Sequence, residues 1–292
     1  MQIRFVALSL IVVVFVVGCS TTSKVDISKL EEPPSTLEIA STHNERVEAI
    51  DTLWARISIR AKGVYPDGKK YEEQGEGHLQ IEKPSGVSLT IRKLGELYFA
   101  YGANSESYWS FNLLDKEQKT MQIGRLEDVS VEKANQLGMP IHPGELIELS
   151  GLMPIDLSKA GGSRWSDDGK LVGVTVPSQW GSFVLWFDPR TNLVARSDVY
   201  DRDGVHVASA SLTRYKPAKV PNQQPVLVPG KIEITNPGQE GFVRIEISEP
   251  ASKTIRPMVF DPARLKRAYR VDEVIDLDVE FENREQTMDA TP

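Results

Sequence analysis

The feature that most constrains the fold of this chain is a series of short segments in which apolar and polar residues alternate. Ile57, Ile59 and Ala61 alternate with polar or basic residues, and the turn residues at 66–68 follow. A period of two residues is typical of a half-buried strand. Further candidate strands, with turn residues between them, lie at 74–82, 87–93, 97–102, 107–111, 120–124, 171–176, 183–188, 193–200, 205–215, 231–235 and 242–248.

These strands follow one another without the regular helices that connect the strands of a parallel sheet. We therefore expect a mainly β protein of the α+β class, in which about eleven strands form one strongly curved antiparallel sheet. Such a sheet would make an incomplete barrel, with helices as a lid over its concave face.

Two longer segments carry helical signals, and residues 131–137 could form a further short helix. Thr42 and Glu45 have the spacing of a capping box, and the apolar residues that follow have the spacing of one helical face. Those apolar residues are Val47, Ile50, Leu53, Trp54 and Ile57. Pro143 begins the second segment, because the first turn of a helix tolerates proline. We expect this second helix to be the lid, with its apolar side chains facing the sheet. Those side chains are Leu146, Ile147, Leu149, Leu152 and Met153.

Cys19, the only cysteine, ends an N-terminal segment with the features of a lipoprotein signal peptide. Arg4 supplies a positive charge, residues 5–17 are almost entirely apolar, and Gly18 precedes the cysteine. This apolar run is too short to span a hydrocarbon core of about 30 Å. It resembles the bacterial lipobox, so we expect a signal peptide over 1–18 and acylation of Cys19, for example with palmitate. The alternative is an ordinary secretory signal with a chance cysteine at the cleavage site.

Composition divides the rest of the chain. Residues 19–41 are rich in Ser, Thr, Lys, Glu and Pro, so we expect a flexible tether there. Residues 42–278 contain all the candidate strands and form the expected half-barrel domain. Residues 279–292 are polar and acidic, and we expect a disordered tail. With one cysteine there is no internal disulfide, so the hydrophobic core must hold the fold.

Several function classes have no support in the sequence. The four histidines, at 43, 78, 142 and 206, are too dispersed for a metal-binding motif, and no hydrolase or phosphate-loop motif is present. We therefore expect no enzyme activity, no metal and no cofactor. The net charge is −7 and basic residues are not clustered, which argues against nucleic acid as a partner. We expect a monomer.

Aromatic residues on the candidate strands must fill the concave side of a sheet of this kind. They could pack into a solid core or line a ligand cavity, and both alternatives remain open at this point. If there is a cavity, its lining is expected to include the lid residues and Trp54, Phe99, Tyr101, Trp109 and Trp186.

The order of elements, and the stretches 47–63, 87–111 and 227–248 in particular, resemble the LolA and LolB lipoprotein-handling proteins. This resemblance implies an incomplete β-barrel with a helical lid and an apolar cavity for the acyl chains of lipoproteins or other lipids. It implies a lipid-anchored carrier or acceptor in envelope lipoprotein localisation. Ser20 follows the cysteine, so the resemblance favours the outer membrane, facing the periplasm.

The resemblance also implies a membrane or transfer loop at Leu94 and Leu97, with Leu94 favoured over Leu97. The alternative function is a non-catalytic interaction or sensor module of the bacterial envelope, with the same fold and a filled core.

Overall fold

A computed structural model describes residues 29–64, 68–114, 117–130, 132–133, 136–137, 142–178, 181–238 and 240–289. Its α-helices are α1 (Thr36–Glu48), α2 (Pro143–Leu149), α3 (Pro262–Tyr269) and α4 (Leu277–Asp289). Short 3₁₀ turns lie at Leu126–Asp128 and Pro257–Phe260. The short helix expected over 131–137 falls partly outside the described residues. The strands are β1 (Thr52–Val64), β2 (Lys70–Glu82), β3 (Gly86–Lys93), β4 (Glu96–Ala103), β5 (Ser107–Asn112), β6 (Thr120–Arg125), β7 (Ser163–Trp165), β8 (Val172–Ser178), β9 (Gly181–Asp188), β10 (Leu193–Asp201), β11 (His206–Thr213), β12 (Lys216–Ala218), β13 (Val226–Val228), β14 (Lys231–Thr235), β15 (Phe242–Ala251) and β16 (Glu273–Asp276).

Fourteen of these strands form a single open sheet, in the order β16-β6-β5-β4-β3-β2-β1-β15-β14-β11-β10-β9-β8-β7. Every neighbouring pair is antiparallel except β16 and β6, which are parallel. The fold class predicted from the sequence, a mainly β protein with a large curved antiparallel sheet, is confirmed. The sheet has more than the expected eleven strands, partly because β7 and β16 are three and four residues long, too short to show a period.

The curvature of the sheet follows from what α2 contacts. This helix packs against β3, β4 and β5 and also against β10. β3 and β10 are six strand positions apart in the sheet. At about 4.8 Å per strand a flat sheet would place them about 29 Å apart, whereas a helix with its side chains is about 10 Å wide. The two arms of the sheet therefore curve towards each other, and α2 lies on the concave side.

Two large groups of buried side chains lie on opposite faces of the sheet. The main core fills the concave face and includes residues of α1 and α2. The second cluster lies on the outer face of β4–β6, where α3 covers it through Leu265. In β5, Tyr108 belongs to the main core, whereas Trp109 and Phe111 belong to the second cluster. This division follows from the alternation of side chains along a strand.

The first and last helices lie where the sequence predicted other structure. α1 begins at Thr36 rather than Thr42, so it takes in the end of the expected tether. It ends at Glu48, and three residues expected on its apolar face lie in β1 instead, namely Leu53, Trp54 and Ile57. Ser35 caps it, since its side chain accepts a hydrogen bond from the Glu38 amide at 3.2 Å. At the C-terminus, α4 occupies most of the expected disordered tail. The Asp276 side chain accepts from the Asp278 and Val279 amides, which starts this helix.

Candidate functional site

The lid helix α2 and the residues that follow it contribute apolar side chains to the core of the concave face. Leu146 and Leu149 are fully buried, and Ile147 and Leu152 are 2% exposed. Met153 is partly buried against the same core. These are the five side chains expected to face the sheet, and each lies in the main core or packs against it. His142 caps α2 by accepting a hydrogen bond from the Gly144 amide at 3.0 Å.

Helix α1 is fastened to the segment that follows α2 by a small group of polar contacts, which we call the clasp. The Asn44 side chain donates to the Ile155 carbonyl at 2.8 Å and accepts from the Ile155 amide at 2.7 Å. His43 Nε2 lies 2.8 Å from the Met153 carbonyl oxygen. Arg46 donates to the Leu227 carbonyl at 3.0 Å, which fastens α1 to β13. The lid thus consists of both helices.

Burial perturbs the titration of two clasp residues. The pKa of His43 is lowered to about 4, mainly because burial disfavours the imidazolium and also because Arg46 is close. Burial also lowers the pKa of Arg46, which packs over the Tyr215 ring. His43 is therefore neutral near pH 7. Sequence analysis missed the clasp, although the polar residues 43, 44 and 46 on one helix were its visible signal.

Two of the five predicted aromatic lining residues lie beneath the lid. Tyr101 is fully buried in the main core, and Phe99 packs against the same core with its ring 6.0 Å from that of Tyr101. Both project from β4 to the concave side.

The other three predicted lining residues, Trp54, Trp109 and Trp186, do not face the concave side, and this prediction is wrong for them. Trp54 alternates with Leu53 and Ala55, which are core residues, and its ring contacts Lys253 on the outer face. Trp109 belongs to the second cluster beneath α3.

Trp186 likewise alternates with Leu185 and Phe187 of the main core. On the outer face its indole donates to Asp198 at 2.6 Å and stacks with Arg196, whose guanidinium carbon is 4.7 Å from the ring centre. The strands of Trp109 and Trp186 have bulky apolar residues on both faces, so hydrophobicity did not reveal the inner face. Trp54 was misplaced for another reason: its spacing was attributed to a helix, although the alternation of β1 puts it on the same face as Arg56 and Ser58.

The concave side is packed closely at the predicted lining positions. Tyr101, Leu146 and Leu149 have no surface accessible to a water-sized probe. Side chains that line an open cavity would retain such surface. In this conformation, therefore, an acyl chain could enter at these positions only if the lid moved.

Several ionisable and hydroxyl groups lie between α2 and the sheet. Burial raises the pKa of Glu145 and Glu148 to about 7, and in Glu148 the charge of Glu145 adds to the effect. Burial also raises the pKa values of the Tyr101 and Tyr108 phenols, so both stay protonated. The Tyr108 ring packs edge-on against that of His142, with 4.6 Å between their centres.

The Leu94 side chain is fully exposed at the tip of the β3–β4 hairpin. Three further exposed apolar residues, Val64, Leu114 and Val205, lie at or beside other turns of the sheet. Because successive antiparallel strands reverse direction, the ends of β1, β3, β5 and β10 all lie at one edge. We call this edge, with these four side chains, the apolar rim.

Leu97, the other predicted transfer residue, is not part of the rim. It packs against the second cluster and lines a groove of about 430 Å³ between α3 and the strands. Lys119 and Tyr269 also line this groove. The sequence-based preference for Leu94 over Leu97 therefore agrees with their exposure.

Ser209, His206 and Asp198 lie together on the outer face of β10 and β11. Ser209 Oγ donates to Asp198 at 2.6 Å, and His206 Nε2 lies 2.9 Å from Ser209 Oγ. His206 Nε2 is also 3.1 Å from the Ala208 carbonyl oxygen, which can only accept. A nucleophilic serine would instead donate its proton to the histidine, with the carboxylate on the other ring nitrogen. The trio is therefore arranged as a structural network.

Among the described residues, no group of three or more His, Cys, Asp or Glu side chains is placed to hold a metal ion. In the same part of the chain, no helix has the length and apolar character needed to cross a membrane. Cys19 and the signal segment lie outside the described residues.

Comparison with known proteins gives a match at the level of the fold. No family model and no curated protein matches the sequence. A DUF1329 family protein from Desulfovibrio piger has a TM-score of 0.52 and 14% identity, over 78% of this chain and 96% of that one. A LolA superfamily protein from Nitrosomonas europaea has a TM-score of 0.50 and 13% identity, over 76% and 96%.

A Vibrio parahaemolyticus protein domain named for outer membrane lipoprotein sorting has a TM-score of 0.50 and 14% identity, over 79% of this chain and 98% of its own. The resemblance inferred from the sequence is thereby supported at the level of structure, without distinguishing LolB from its relatives. This chain has a LolA-like fold.

Proposed function

We propose that this protein is a lipid-anchored component of the bacterial envelope that binds the acyl chains of lipids or lipoproteins beneath its lid. It would act as a non-enzymatic carrier or acceptor. The observation that carries the proposal is the construction of the lid. The buried side chains of α2 cover an apolar concave face, and a few polar contacts join the segment that follows α2 to α1. The LolA-like fold supports the same reading.

Burial of methylene groups would supply the binding free energy, at about 0.8 kcal/mol for each CH₂. Since the closed lid leaves no room at Tyr101, Leu146 or Leu149, the acyl chain would replace contacts that α2 now makes. The clasp consists of a few polar contacts, so it could open and close again while the acyl ligand is exchanged.

The close packing of the concave side favours a second candidate function. A sheet whose inner face is filled could serve as an interaction or sensor module in the envelope, with the lid as a permanent part of its core. The two candidates differ in whether α2 moves.

Binding of a fluorescent fatty acid or lipopeptide by the form lacking residues 1–19 separates these candidates. In the Leu149→Asp variant a carboxylate would face the apolar concave side, which is costly. We expect acyl binding to be lost while the β-sheet circular dichroism signal is retained. Leu157→Asp is the matched control, because Leu157 is exposed. Absence of binding by the unsubstituted protein would favour the interaction module.

We propose further that Cys19 is acylated and anchors the protein, with the outer membrane as its site. Cys19→Ala should release the protein from membranes or leave the precursor uncut. Mass spectrometry of the mature N-terminus tests this directly. An unmodified N-terminus at another residue would contradict it.

Exchange of cargo would take place at the apolar rim. Leu94 is the most exposed of the four rim side chains, which are spread along one edge of the sheet, and an apolar edge of this kind would suit a contact with a membrane. Leu94 is therefore proposed as the transfer residue, and Leu97 is assigned a packing role.

A further inference from the structure

Two tyrosines on the concave face, Tyr101 and Tyr108, are buried without a hydrogen-bond partner for their phenol oxygens among the described residues. Buried hydroxyl groups are nearly always hydrogen-bonded, because an unpaired one loses its interaction with water and gains nothing in return. Tyr215, which is partly buried, shows the usual arrangement: its phenol donates to the Val194 carbonyl at 2.7 Å.

The two tyrosines lie on one face of neighbouring strands, and the phenol of Tyr108 extends over Gly124 of β6. Tyr108 on β5 pairs directly with Ala103 on β4, and Tyr101 lies two residues before Ala103 on the same face. Diagonal neighbours of this kind are about 7 Å apart across an antiparallel pair. Both tyrosines are held by paired strands, whereas the groups above them, His142 and Glu145, belong to the lid segment.

We propose that Tyr101 and Tyr108 donate hydrogen bonds to the carbonyl oxygens of an ester-linked acyl ligand when the lid opens, so that the site recognises the ester group as well as the hydrocarbon. This inference rests on the proposed acyl binding at the same site. Movement of α2 would uncover Tyr101 and take His142 away from the ring of Tyr108, while both tyrosines stay on the sheet. Both phenols stay protonated throughout the physiological pH range, so both can donate hydrogen bonds there.

The neighbouring carboxyl group selects the class of ligand. Glu145 is close enough to Tyr101 to raise the pKa of its phenol. When ionised, the same carboxylate would repel an anionic ligand group. A neutral glycerol ester therefore fits this position better than a free fatty acid.

Competition between two probes tests the inference. The full chain is placed in nanodiscs made of ether-linked phospholipid, and photo-crosslinkable diacylglycerol and dialkylglycerol of equal chain length are added. The two probes differ only in their carbonyl groups. We expect the unsubstituted protein to bind the ester probe about threefold to tenfold more tightly, the ratio for one hydrogen bond of ordinary strength. The combined variant Tyr101→Phe, Tyr108→Phe should bind both probes equally.

Thermal unfolding of the same proteins gives an independent readout. If the phenols lack protein partners, the combined variant should unfold at the same temperature as the unsubstituted protein or at a higher one. Tyr215→Phe is the matched control and should unfold at a lower temperature, because it removes a hydrogen bond that the protein makes.

Each result decides the matter. Equal binding of the two probes by the unsubstituted protein overturns the ester inference and leaves acyl binding intact. Binding of neither probe overturns the proposed function and the inference together. A clear fall in the unfolding temperature of the combined variant shows that the phenols are partnered within the fold and also overturns the inference.

Discussion

Leu94 and Gly95 form the two-residue turn of the β3–β4 hairpin, with φ angles of 52° and 85°. A tight hairpin turn of this kind requires positive φ at both central residues, so Asn-Gly is the favoured pair. Leucine is disfavoured in the left-handed region because its Cβ approaches the backbone. Leu94 thus combines an unfavourable backbone conformation with full exposure of an apolar side chain. Neither the backbone conformation nor packing within the protein favours leucine at this position. We therefore infer that the side chain contacts another molecule.

Leu94→Asn should therefore stabilise the protein while impairing transfer. Asparagine tolerates positive φ, so we expect a gain of about 0.5–1 kcal/mol in the free energy of unfolding. Delivery of bound cargo to liposomes should fall, with cargo binding unchanged. Chemical denaturation and a liposome transfer assay measure the two effects. Leu157→Asn is the control for an exposed leucine outside the rim. A loss of stability on Leu94→Asn would show that Leu94 is a packing residue.

Asn44→Ala should loosen the lid. It removes the two hydrogen bonds that join α1 to Ile155, a loss of about 1–3 kcal/mol. We expect faster amide hydrogen exchange in α1 and α2 and faster exchange of the acyl ligand. Amide hydrogen exchange in strands that do not contact the lid should change little. Thr42→Ala is the control, since the Thr42 hydroxyl donates to the Glu38 carbonyl within α1 itself. If both variants exchanged alike, the clasp would have no role in lid motion.

Trp186→Phe separates stability from ligand binding. The substitution leaves buried Asp198 without its indole donor at 2.6 Å, and hydrogen bonds to charged groups contribute about 1.5–3 kcal/mol. We expect that loss in the free energy of unfolding and unchanged acyl affinity, because Trp186 lies on the outer face. Trp54→Phe, at a half-buried outer position, should cost less. If Trp186→Phe weakened acyl binding under conditions in which the variant is fully folded, Trp186 would belong to the binding site after all.

Glu148→Gln should stabilise the protein at neutral and alkaline pH but not at acid pH. The pKa of Glu148 is raised from 4.5 to about 7, so between these values the native state holds the proton more tightly than the unfolded state. Ionisation of Glu148 therefore lowers the free energy of unfolding of the unsubstituted protein as pH rises from 4.5 to 7. Above pH 7 this destabilisation has reached its full size. Glutamine does not ionise.

The stability difference between Glu148→Gln and the unsubstituted protein should be smallest near pH 4.5 and reach a plateau above pH 7. Thermal unfolding near pH 4.5 and above pH 7 measures this difference. Glu76→Gln is the control, because Glu76 is exposed. Comparing two proteins at each pH cancels the opposing contributions of His43 and His142, whose pKa values are lowered. A difference that does not vary with pH would show that Glu148 is not desolvated beneath the lid.

The sequence determined the features that depend on local periodicity. The apolar spacing of Leu146 and Leu149 identified the inner face of α2, and alternation located most of the strands. Leu94-Gly95 was recognisable as a turn because few residues lie between two alternating segments. Each of these signals comes from residues close in the chain, where helix and strand geometry fix which side chains share a face.

Only the tertiary structure decided what depends on residues far apart. α3 buries Trp109 on the outer face of the sheet, and nothing local to β5 shows which of its two apolar faces is concave. The clasp joins Asn44 to Ile155, which is 111 residues away. The solid packing around Tyr101 depends on both arms of the sheet closing on α2. Alternation divides the side chains of a strand between two faces. Contacts with residues that are distant in the chain determine which of these faces becomes the interior.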